Sequence, residues 1–317
     1  MRELGRAVGA GTHASETAAS ILRVAGLKSL TAIARRRAAW FFRDRMPLRK
    51  VERDVQGVHM VLPWAHRLPD YADANPNYGQ NLVELARLLA ETSALSVMDI
   101  GANVGDSALQ ILHSTDGKVL CVEGDTAYLE FLHLNVDNDD RITVVEALLT
   151  VDHAGERTKA VRAGGTTRFV SGEAHDATPS VTPTTLRAEF PDFADLRLVK
   201  SDTDGYDVSL VPAVAKEWAH AHPVLFFEYD PYLIRLANLD PLAVWPRLQE
   251  LGYTDIAVWD NGGTPVGRMT TATIGERAAV LDSIPGNRPA ARSYWDVALV
   301  HADDDLGRAA LDQLIPA

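Results

Sequence analysis

The chain has 317 residues, of which 46% are hydrophobic and 23% are charged, and this suits one large domain with an extension. Its net charge of −12 argues against nucleic acid as a partner, because a nucleic-acid-binding surface needs a basic patch. The single cysteine, Cys121, excludes an intrachain disulfide and a cysteine-based metal site, and it fits a reducing compartment. No apolar run of about 18 residues and no secretory leader occurs, so we expect a cytoplasmic protein without a spanning helix.

Residues 1–55 are interpreted as a basic, helical N-terminal arm. Residues 1–50 contain eleven Lys or Arg and only three Asp or Glu, so the rest of the chain is strongly acidic. Three arginines at 35–37 precede a Trp-Phe-Phe run at 40–42, which is compatible with weak peripheral contact with an anionic membrane. A solubilising or packing helix explains the same pattern, and both interpretations stay open.

The segment 56–96 leads into the main domain. Residues 57–63 alternate like a short strand, and a loop rich in Pro, Asp and Asn follows. An apolar-periodic helix is predicted over 82–89, opened by the polar residues 77–81. This helix directly precedes the first strand of the predicted sheet.

The most informative motif is the glycine-rich turn at 97–106. An apolar run ends in Asp99, and Gly101 and Gly105 then lead into a predicted helix. This strand, turn and helix N-terminus is where open α/β sheets hold nucleotide-like cofactors. Asn103 stands where a dinucleotide fingerprint needs its second glycine, so a nicotinamide cofactor is disfavoured.

A second acidic residue follows at the spacing that such a site requires. The segment 118–123 reads as the next strand and ends in Glu123, about 20 residues after the turn, where a carboxylate can accept hydrogen bonds from ribose hydroxyls. A solvated strand-end carboxylate is the alternative interpretation. Asp125 and Asn135 are either further contacts or ordinary surface polarity.

Alternating strands and helices from residue 97 onward predict a doubly wound, mostly parallel α/β sheet in a domain spanning 97–303, with a C-terminal tail at 304–317. Residues 150–196 form a long excursion that either carries substrate specificity or extends the sheet. Within it, 157–162 and 166–170 resemble a hairpin around two glycines. Seven strands are expected at 97–100, 118–123, 142–147, 197–202, 224–229, 254–259 and 295–300.

Carboxylates cluster after the predicted strand 197–202. Lys200 precedes Asp202 and Asp204, and all three follow or end an apolar run whose carboxyl end faces the ligand crevice of a doubly wound sheet. A calcium loop fails on the spacing of its glycine and its twelfth residue. A helix N-terminus rich in acids is the competing explanation, and we favour it for Asp207.

The next strand, 224–229, ends in the same manner. Glu228 follows two phenylalanines, so desolvation is expected to raise its pKa as a general base requires, and Asp230 follows it. A buried carboxylate held by Lys200 is a compatible structural interpretation. Asn261 lies in a polar turn after strand 254–259, which is either a plain turn or a substrate contact.

In their order along the chain these motifs resemble the FkbM family of S-adenosylmethionine (SAM)-dependent methyltransferases. The resemblance covers roughly residues 55–300, and its main departure is that Asp204 and Asp207 stand where glutamates are more usual. It implies a class I methyltransferase sheet whose last strand is inserted antiparallel. It also implies SAM as cofactor and O-methyl transfer to a hydroxyl of a sugar, glycan or secondary metabolite. The cofactor would be bound by Asp99, Gly101, Asn103, Gly105, Glu123 and Gly124.

The expected catalytic residues are Lys200, Asp202 and Glu228, with one carboxylate taking the hydroxyl proton. The expected acceptor-binding residues are Tyr78, Asp204, Asp230 and Asn261, of which Tyr78 is a lid contact by resemblance, as is Gln80. An alternative mechanism uses Mg²⁺ held by Asp202, Asp204, Glu228 and Asp230. Two other functions stay open: a non-catalytic carbohydrate-binding or scaffold protein on this fold, and the less favoured nicotinamide-dependent oxidoreductase. The sequence does not define the oligomeric state.

Overall fold

A computed structural model describes residues 40–43, 45–151, 158–163, 166–171, 178–283 and 293–316. The strands are β1 (Lys50–Val55), β2 (Val58–Pro63), β3 (Leu95–Ile100), β4 (Gly117–Glu123), β5 (Ile142–Glu146), β6 (Leu148–Leu149), β7 (Thr158–Ala163), β8 (Thr166–Ser171), β9 (Ser180–Val181), β10 (Leu198–Ser201), β11 (Val224–Tyr229), β12 (Tyr253–Asp260), β13 (Pro265–Thr270) and β14 (Trp295–His301).

The helices alternate with these strands through the main domain. They are α1 (Leu68–Ala74), α2 (Gln80–Leu89), α3 (Asp106–Ser114), α4 (Thr126–Val136), α5 (Pro183–Glu189), α6 (Asp207–Glu217), α7 (Pro231–Leu236), α8 (Val244–Glu250), α9 (Ile274–Asp282) and α10 (Asp305–Leu314). Short 3₁₀ turns occupy Pro191–Phe193 and Pro241–Ala243. No helix among the described residues is long and apolar enough to cross a bilayer.

The central sheet has eight strands in the order β13-β12-β14-β11-β10-β3-β4-β5. Strands β5, β4, β3, β10 and β11 pair in parallel, and β14 lies antiparallel between β11 and β12. The predicted doubly wound sheet, its seven strands and the inserted antiparallel strand are therefore confirmed. The eighth strand, β13, was not predicted; it is a largely exposed edge strand that contains Gly267.

Helices cover both faces of the sheet, which explains why its central strands are apolar throughout. All six residues of β3 are buried, as expected for a strand covered on both sides. One face packs against α5, α6, α8 and α9 through residues such as Val211 and Trp245. The other packs against α2, α3, α4 and α10 through residues such as Leu85 and Leu132.

A hairpin formed by β1 and β2 packs on the outside of the glycine turn. Met60 and Leu62 of β2 join a small core with Val104 in the turn and Phe131 of α4. From the sequence, Asn135 was either a cofactor contact or an ordinary surface residue. Its side chain accepts a hydrogen bond from the N–H of Val61 and donates to the carbonyl oxygens of Val61 and Val104. Asn135 therefore anchors the hairpin to the turn.

The predicted hairpin of the excursion is present as the antiparallel pair β7 and β8, while its glycine turn lies outside the described residues. At the other end of the chain, the basic run 35–37 also lies outside them. Just after that run, Phe41, Phe42 and Met46 are exposed. The last residues of the arm, which was predicted to be helical, form strand β1 instead, because they pair with β2. Weak membrane contact by the arm stays a prediction, as do the domain boundaries.

Candidate functional site

The glycine-rich turn joins the end of β3 to the start of α3 and takes a backbone path that needs glycine. Gly101, Asn103 and Gly105 all have positive φ, at 71°, 51° and 83°. A Cβ on Gly101 would lie 2.2 Å from the carbonyl oxygen of Asp202, so the turn packs directly against the end of β10. Glycine supplies the conformation without that clash, and asparagine tolerates the left-handed region better than most residues.

Glu123, at the end of β4, holds the turn in place. Its Oε2 accepts a hydrogen bond from the N–H of Asn103 at 2.8 Å, and its Oε1 accepts one from the N–H of Asp125 at 2.6 Å. Burial raises the pKa of Glu123, and these backbone donors partly offset the increase. Asp125 in turn caps α4 by accepting from the N–H of Ala127. The ribose contact of Glu123 and the cofactor contact of Gly124 stay predictions.

Lys200 forms a buried ion pair with Asp99 on the neighbouring strand. The register of β3 and β10 places the two residues opposite each other, and Lys200 Nζ lies 2.8 Å from Asp99 Oδ1 and 3.1 Å from the carbonyl oxygen of Gly101. Burial alone would lower the pKa of Lys200, but Asp99 and Asp202 outweigh it and raise that pKa. Burial raises the pKa of Asp99. Lys200 is therefore a fixed, protonated group beneath the turn, and its ion-pair partner is Asp99.

Two acids of the predicted cluster accept hydrogen bonds from backbone N–H groups. Asp207, the first residue of α6, accepts from the hydroxyl of Ser201 and from the N–H groups of Thr203 and Gly205. Asp230 is buried at the start of α7 and accepts from the N–H groups of Tyr232 and Leu233.

An open cleft of about 690 Å³, part of it solvent space, lies at the carboxyl ends of β3, β10 and β11. It brings together predicted residues that are far apart in sequence, namely Tyr78, Lys200, Asp202, Glu228 and Asn261. The predicted acceptor contacts Asp204 and Asp230 do not line it. The cleft also contains polar residues that the sequence did not single out, namely Gln56, Asn81, Asp106, Gln110, Tyr294 and Asp296.

The position of this cleft follows from the sheet topology. From β3 the chain winds outward through β4 and β5 on one side, and through β10 and β11 on the other. The crevice between β3 and β10 is thus the switch point of the sheet, where open α/β proteins bind their ligands. The charge there is one-sided, because four lining carboxylates face one lysine.

Asp296 is the functional candidate that sequence reasoning missed. It lies at the amino end of β14, and because that strand is antiparallel, its amino end reaches the cleft. Its Oδ2 accepts a hydrogen bond from Asn81 Nδ2 at 2.9 Å. Burial, followed by the negative charges of Asp202 and Asp260, raises the pKa of Asp296 to about 7, against the opposing effects of Asn81 and Lys200.

The polar turn after β12 is tied to α1. Asp260 accepts from the N–H groups of Gly262 and Thr264, and the side chain of Asn75 donates to the carbonyl of Gly262. This leaves Asn261 on the rim of the cleft, so its predicted acceptor contact is compatible with its position.

The described residues give no support for the predicted Mg²⁺ site. Within that part of the chain, only His222, His301 and Asp303 bring three ligand atoms within 4.8 Å of one another. Those three residues lie at the opposite edge of the sheet, and Asp202 and Glu228 are not part of any such group.

Comparison with known proteins finds only low similarity. No protein-family model and no curated protein matches the chain. The solved precorrin-6y C5,15-methyltransferase of Geobacter metallireducens GS-15 is 14% identical, with a TM-score of 0.37 over 69% of this chain and 86% of that chain. Methyltransferase FkbM of Methylobacillus flagellatus KT is 20% identical, with a TM-score of 0.31 over 51% of this chain and 39% of that chain.

The ribosomal protein L11 methylase of Lactobacillus delbrueckii subsp. bulgaricus is similar at the same level. It is 13% identical, with a TM-score of 0.34 over 69% of this chain and 76% of that chain. Identities and TM-scores of this size assign neither a family nor a substrate to this chain.

Proposed function

We propose that this chain is a SAM-dependent O-methyltransferase that acts on a hydroxyl of a sugar, glycan or secondary metabolite. The observation that carries the proposal is the acidic cleft at the switch point of the sheet, lined by Asp106 and Ser107 at the start of the helix that follows the glycine-rich turn. A turn of this type, at this position, suits a nucleoside-containing cofactor. The resemblance of the motifs to FkbM methyltransferases points the same way.

The charge of the cleft supports a cationic cofactor over a dinucleotide. SAM carries positive charge on its sulfonium and ammonium groups, whereas NAD carries a negatively charged pyrophosphate. Asp106 and Asp202 lie in the cleft beside the turn and would attract the first and repel the second. Glu123 and Gly124, at the end of the adjacent strand, would bind the ribose and the base edge. When bound, SAM supplies a methyl group already activated by the positive sulfur.

The remaining task of the protein is to bind and orient the acceptor. Burial and nearby carboxylates raise the pKa of Tyr78 and Tyr294, so both phenols keep their protons and can donate hydrogen bonds. Glu228 and Asp202 can accept bonds from hydroxyls, and Asn261 can do both. A cleft that mixes donors and acceptors suits a polyhydroxylated acceptor, whose alignment with the methyl donor would provide much of the rate.

The cofactor assignment is tested by calorimetric titration of SAM, S-adenosylhomocysteine (SAH) and NAD. We expect SAM and SAH to bind with micromolar dissociation constants and NAD not to bind. Glu123→Ala should weaken SAH binding at least tenfold, whereas the exposed control Glu250→Gln should not. A folded wild-type protein that binds neither SAM nor SAH would contradict the proposal, and NAD binding would favour an oxidoreductase.

Turnover separates the enzyme from a non-catalytic binding protein on the same fold. Protein and methyl-labelled SAM are incubated with methyl glycosides of glucose, mannose and rhamnose and with 3,4-dihydroxybenzoate, and labelled products are separated and counted. Transfer to a hydroxyl is the expected result. SAM binding without transfer to any of them would favour the carbohydrate-binding or scaffold alternative.

A further inference from the structure

Two carboxylates face each other across neighbouring strands at the floor of the cleft. The antiparallel register of β11 and β14 pairs Glu228 with Asp296. Side chains directly opposite in such a pair lie on the same face, with Cβ atoms about 5 Å apart. Both residues line the cleft.

Asp296 is held by a side chain of the neighbouring helix α2. Asn81 Oδ1 accepts the N–H of Leu82 at 3.0 Å, which turns the amide nitrogen of Asn81 toward Asp296 Oδ2. Among the described residues, this is the hydrogen bond that the Asp296 carboxylate makes, so Oδ1 stays available to a ligand. Asp202, in contrast, is exposed at the rim.

The groups that face Asp296 come from every strand around it. The net charge of these groups is negative, because the positive charge of Lys200 is already paired with Asp99. A carboxyl group in such surroundings gains affinity for a proton, and a base with a pKa near the working pH is the most effective one. The titratable groups around it are Glu228 on β11, Lys200 and Asp202 at the end of β10, Asp260 at the end of β12, and the phenols Tyr78 and Tyr294.

We infer that Asp296, positioned by Asn81 and paired across the strands with Glu228, is the general base that deprotonates the acceptor hydroxyl. This inference rests on the proposed function. As the acceptor oxygen bonds to the methyl carbon, the bond from that carbon to sulfur breaks and its electron pair stays on sulfur. The hydroxyl proton passes to Asp296 Oδ1 and then to solvent. Glu228 accepts a hydrogen bond from the acceptor and keeps it next to Asp296.

The kinetic test compares conservative variants on the acceptor of the panel that the wild-type protein methylates fastest. Asp296→Asn should lower kcat by about 10²–10⁴-fold, the range expected for a lost general base, with the SAH dissociation constant changed less than about threefold. Glu228→Gln should act mainly on KM. Asp303→Asn, just beyond the other end of the same strand, is the matched control and should change neither.

The pH profile separates a base from a merely structural group. In wild type, kcat/KM should rise with pH and level off above about 7, the value to which burial raises the pKa of Asp296. Asn81→Ala, which removes the positioning bond, should move the acidic limb upward, since the bond from Asn81 lowers that pKa. Asp296→Asn with unchanged kcat, or an acidic limb that persists in that variant, would overturn the assignment.

A measurement without acceptor keeps the inference separate from the proposed function. Carbon-13 NMR of labelled aspartate carboxyls is recorded over pH 4–9 in the SAH complex. We expect one carboxyl signal that titrates between pH 6 and 8 and that is missing from the spectrum of Asp296→Asn. If wild type shows no carboxyl that titrates in this range, the inference is overturned even if methyl transfer is found. Failure of the proposed function shows independently, as absent SAM and SAH binding or as transfer by wild type to no acceptor.

Discussion

At the carboxyl edge of the parallel strands, the acids Asp202, Glu228 and Asp296 converge on an open cleft where the one lysine is already paired. At the opposite edge, where the parallel strands begin and which we call the amino edge, charged groups are just as close together but are paired with groups of opposite charge. Arg197 donates to both carboxylate oxygens of Asp304, at 2.6 and 3.1 Å, and Asp304 also caps α10. The two edges therefore contain the same kinds of charged residue, but the charges are paired at the amino edge and largely unpaired in the cleft.

The histidines of the amino edge support that contrast. The rings of His222 and His301 stack 3.6 Å apart and nearly parallel, and His301 Nδ1 accepts the N–H of Asp303. The stacked rings and this hydrogen bond pack the edge together. Removing one member of a saturated pair costs stability, whereas an unsaturated acidic cleft costs stability as it stands and is retained where a ligand completes it.

The largest expected effect concerns the buried pair beneath the turn. Lys200→Met leaves Asp99 buried without its partner and should lower the free energy of unfolding by about 3–5 kcal/mol, measured by urea denaturation. The double variant Lys200→Met/Asp99→Leu removes both charges and should recover most of that loss. A double variant no more stable than the single one would show that the ion pair itself is not what the single change disrupts.

At the amino edge, Arg197→Met should lower the free energy of unfolding by about 1–3 kcal/mol, because a partly buried carboxylate on Asp304 loses its bidentate partner. The dissociation constant of SAH should stay the same, since this pair lies at the far end of the sheet. A clear loss of SAH affinity in this folded variant would mean that the two edges are coupled and the contrast between them is wrong.

Asp296→Asn should stabilise the protein at pH 8, by about 1–3 kcal/mol. The folded-state pKa of Asp296 is raised from 3.8 to about 7, so wild type loses stability as the pH rises from about 4 to 7, while the amide does not titrate. The gain should therefore vanish at pH 4. Unfolding free energies of the two proteins across this range give the measurement, and an equal difference at both pH values would contradict it.

The smallest effect is expected for a charge on the outer surface. Glu84 pairs with Arg87 one turn later on α2, and both side chains are about half exposed. Solvent screening makes such a pair nearly neutral, so Glu84→Gln should leave the urea midpoint unchanged within error. A marked loss would show that exposed pairs contribute here as much as the matched pairs of the amino edge.

The sequence predicted what depends on local pattern. Apolar runs bounded by turns defined the central strands, and the spacing of Gly101, Gly105 and Glu123 indicated the end of the sheet where the cleft lies. Lys200 and Glu228 were recognised because they lie at or near the carboxyl ends of apolar strands, and parallel strands bring those ends together.

What the sequence could not show depends on pairing between distant segments. Asp296 begins a strand, so it reaches the cleft only because β14 runs antiparallel. The partner of Lys200 is set by the register of β3 and β10, which places Asp99 opposite it. β13 lacks an apolar run because it is an exposed edge strand, and Asn81 acquires its role only when α2 packs near β14.

The most direct test of the central claim is a crystal structure of the SAH complex. We expect SAH in the crevice between β3 and β10, with the ribose hydroxyls on Glu123 and the sulfur directed toward the side of the cleft that holds Glu228 and Asp296. SAH bound elsewhere, or sulfur directed away from these carboxylates, would contradict it.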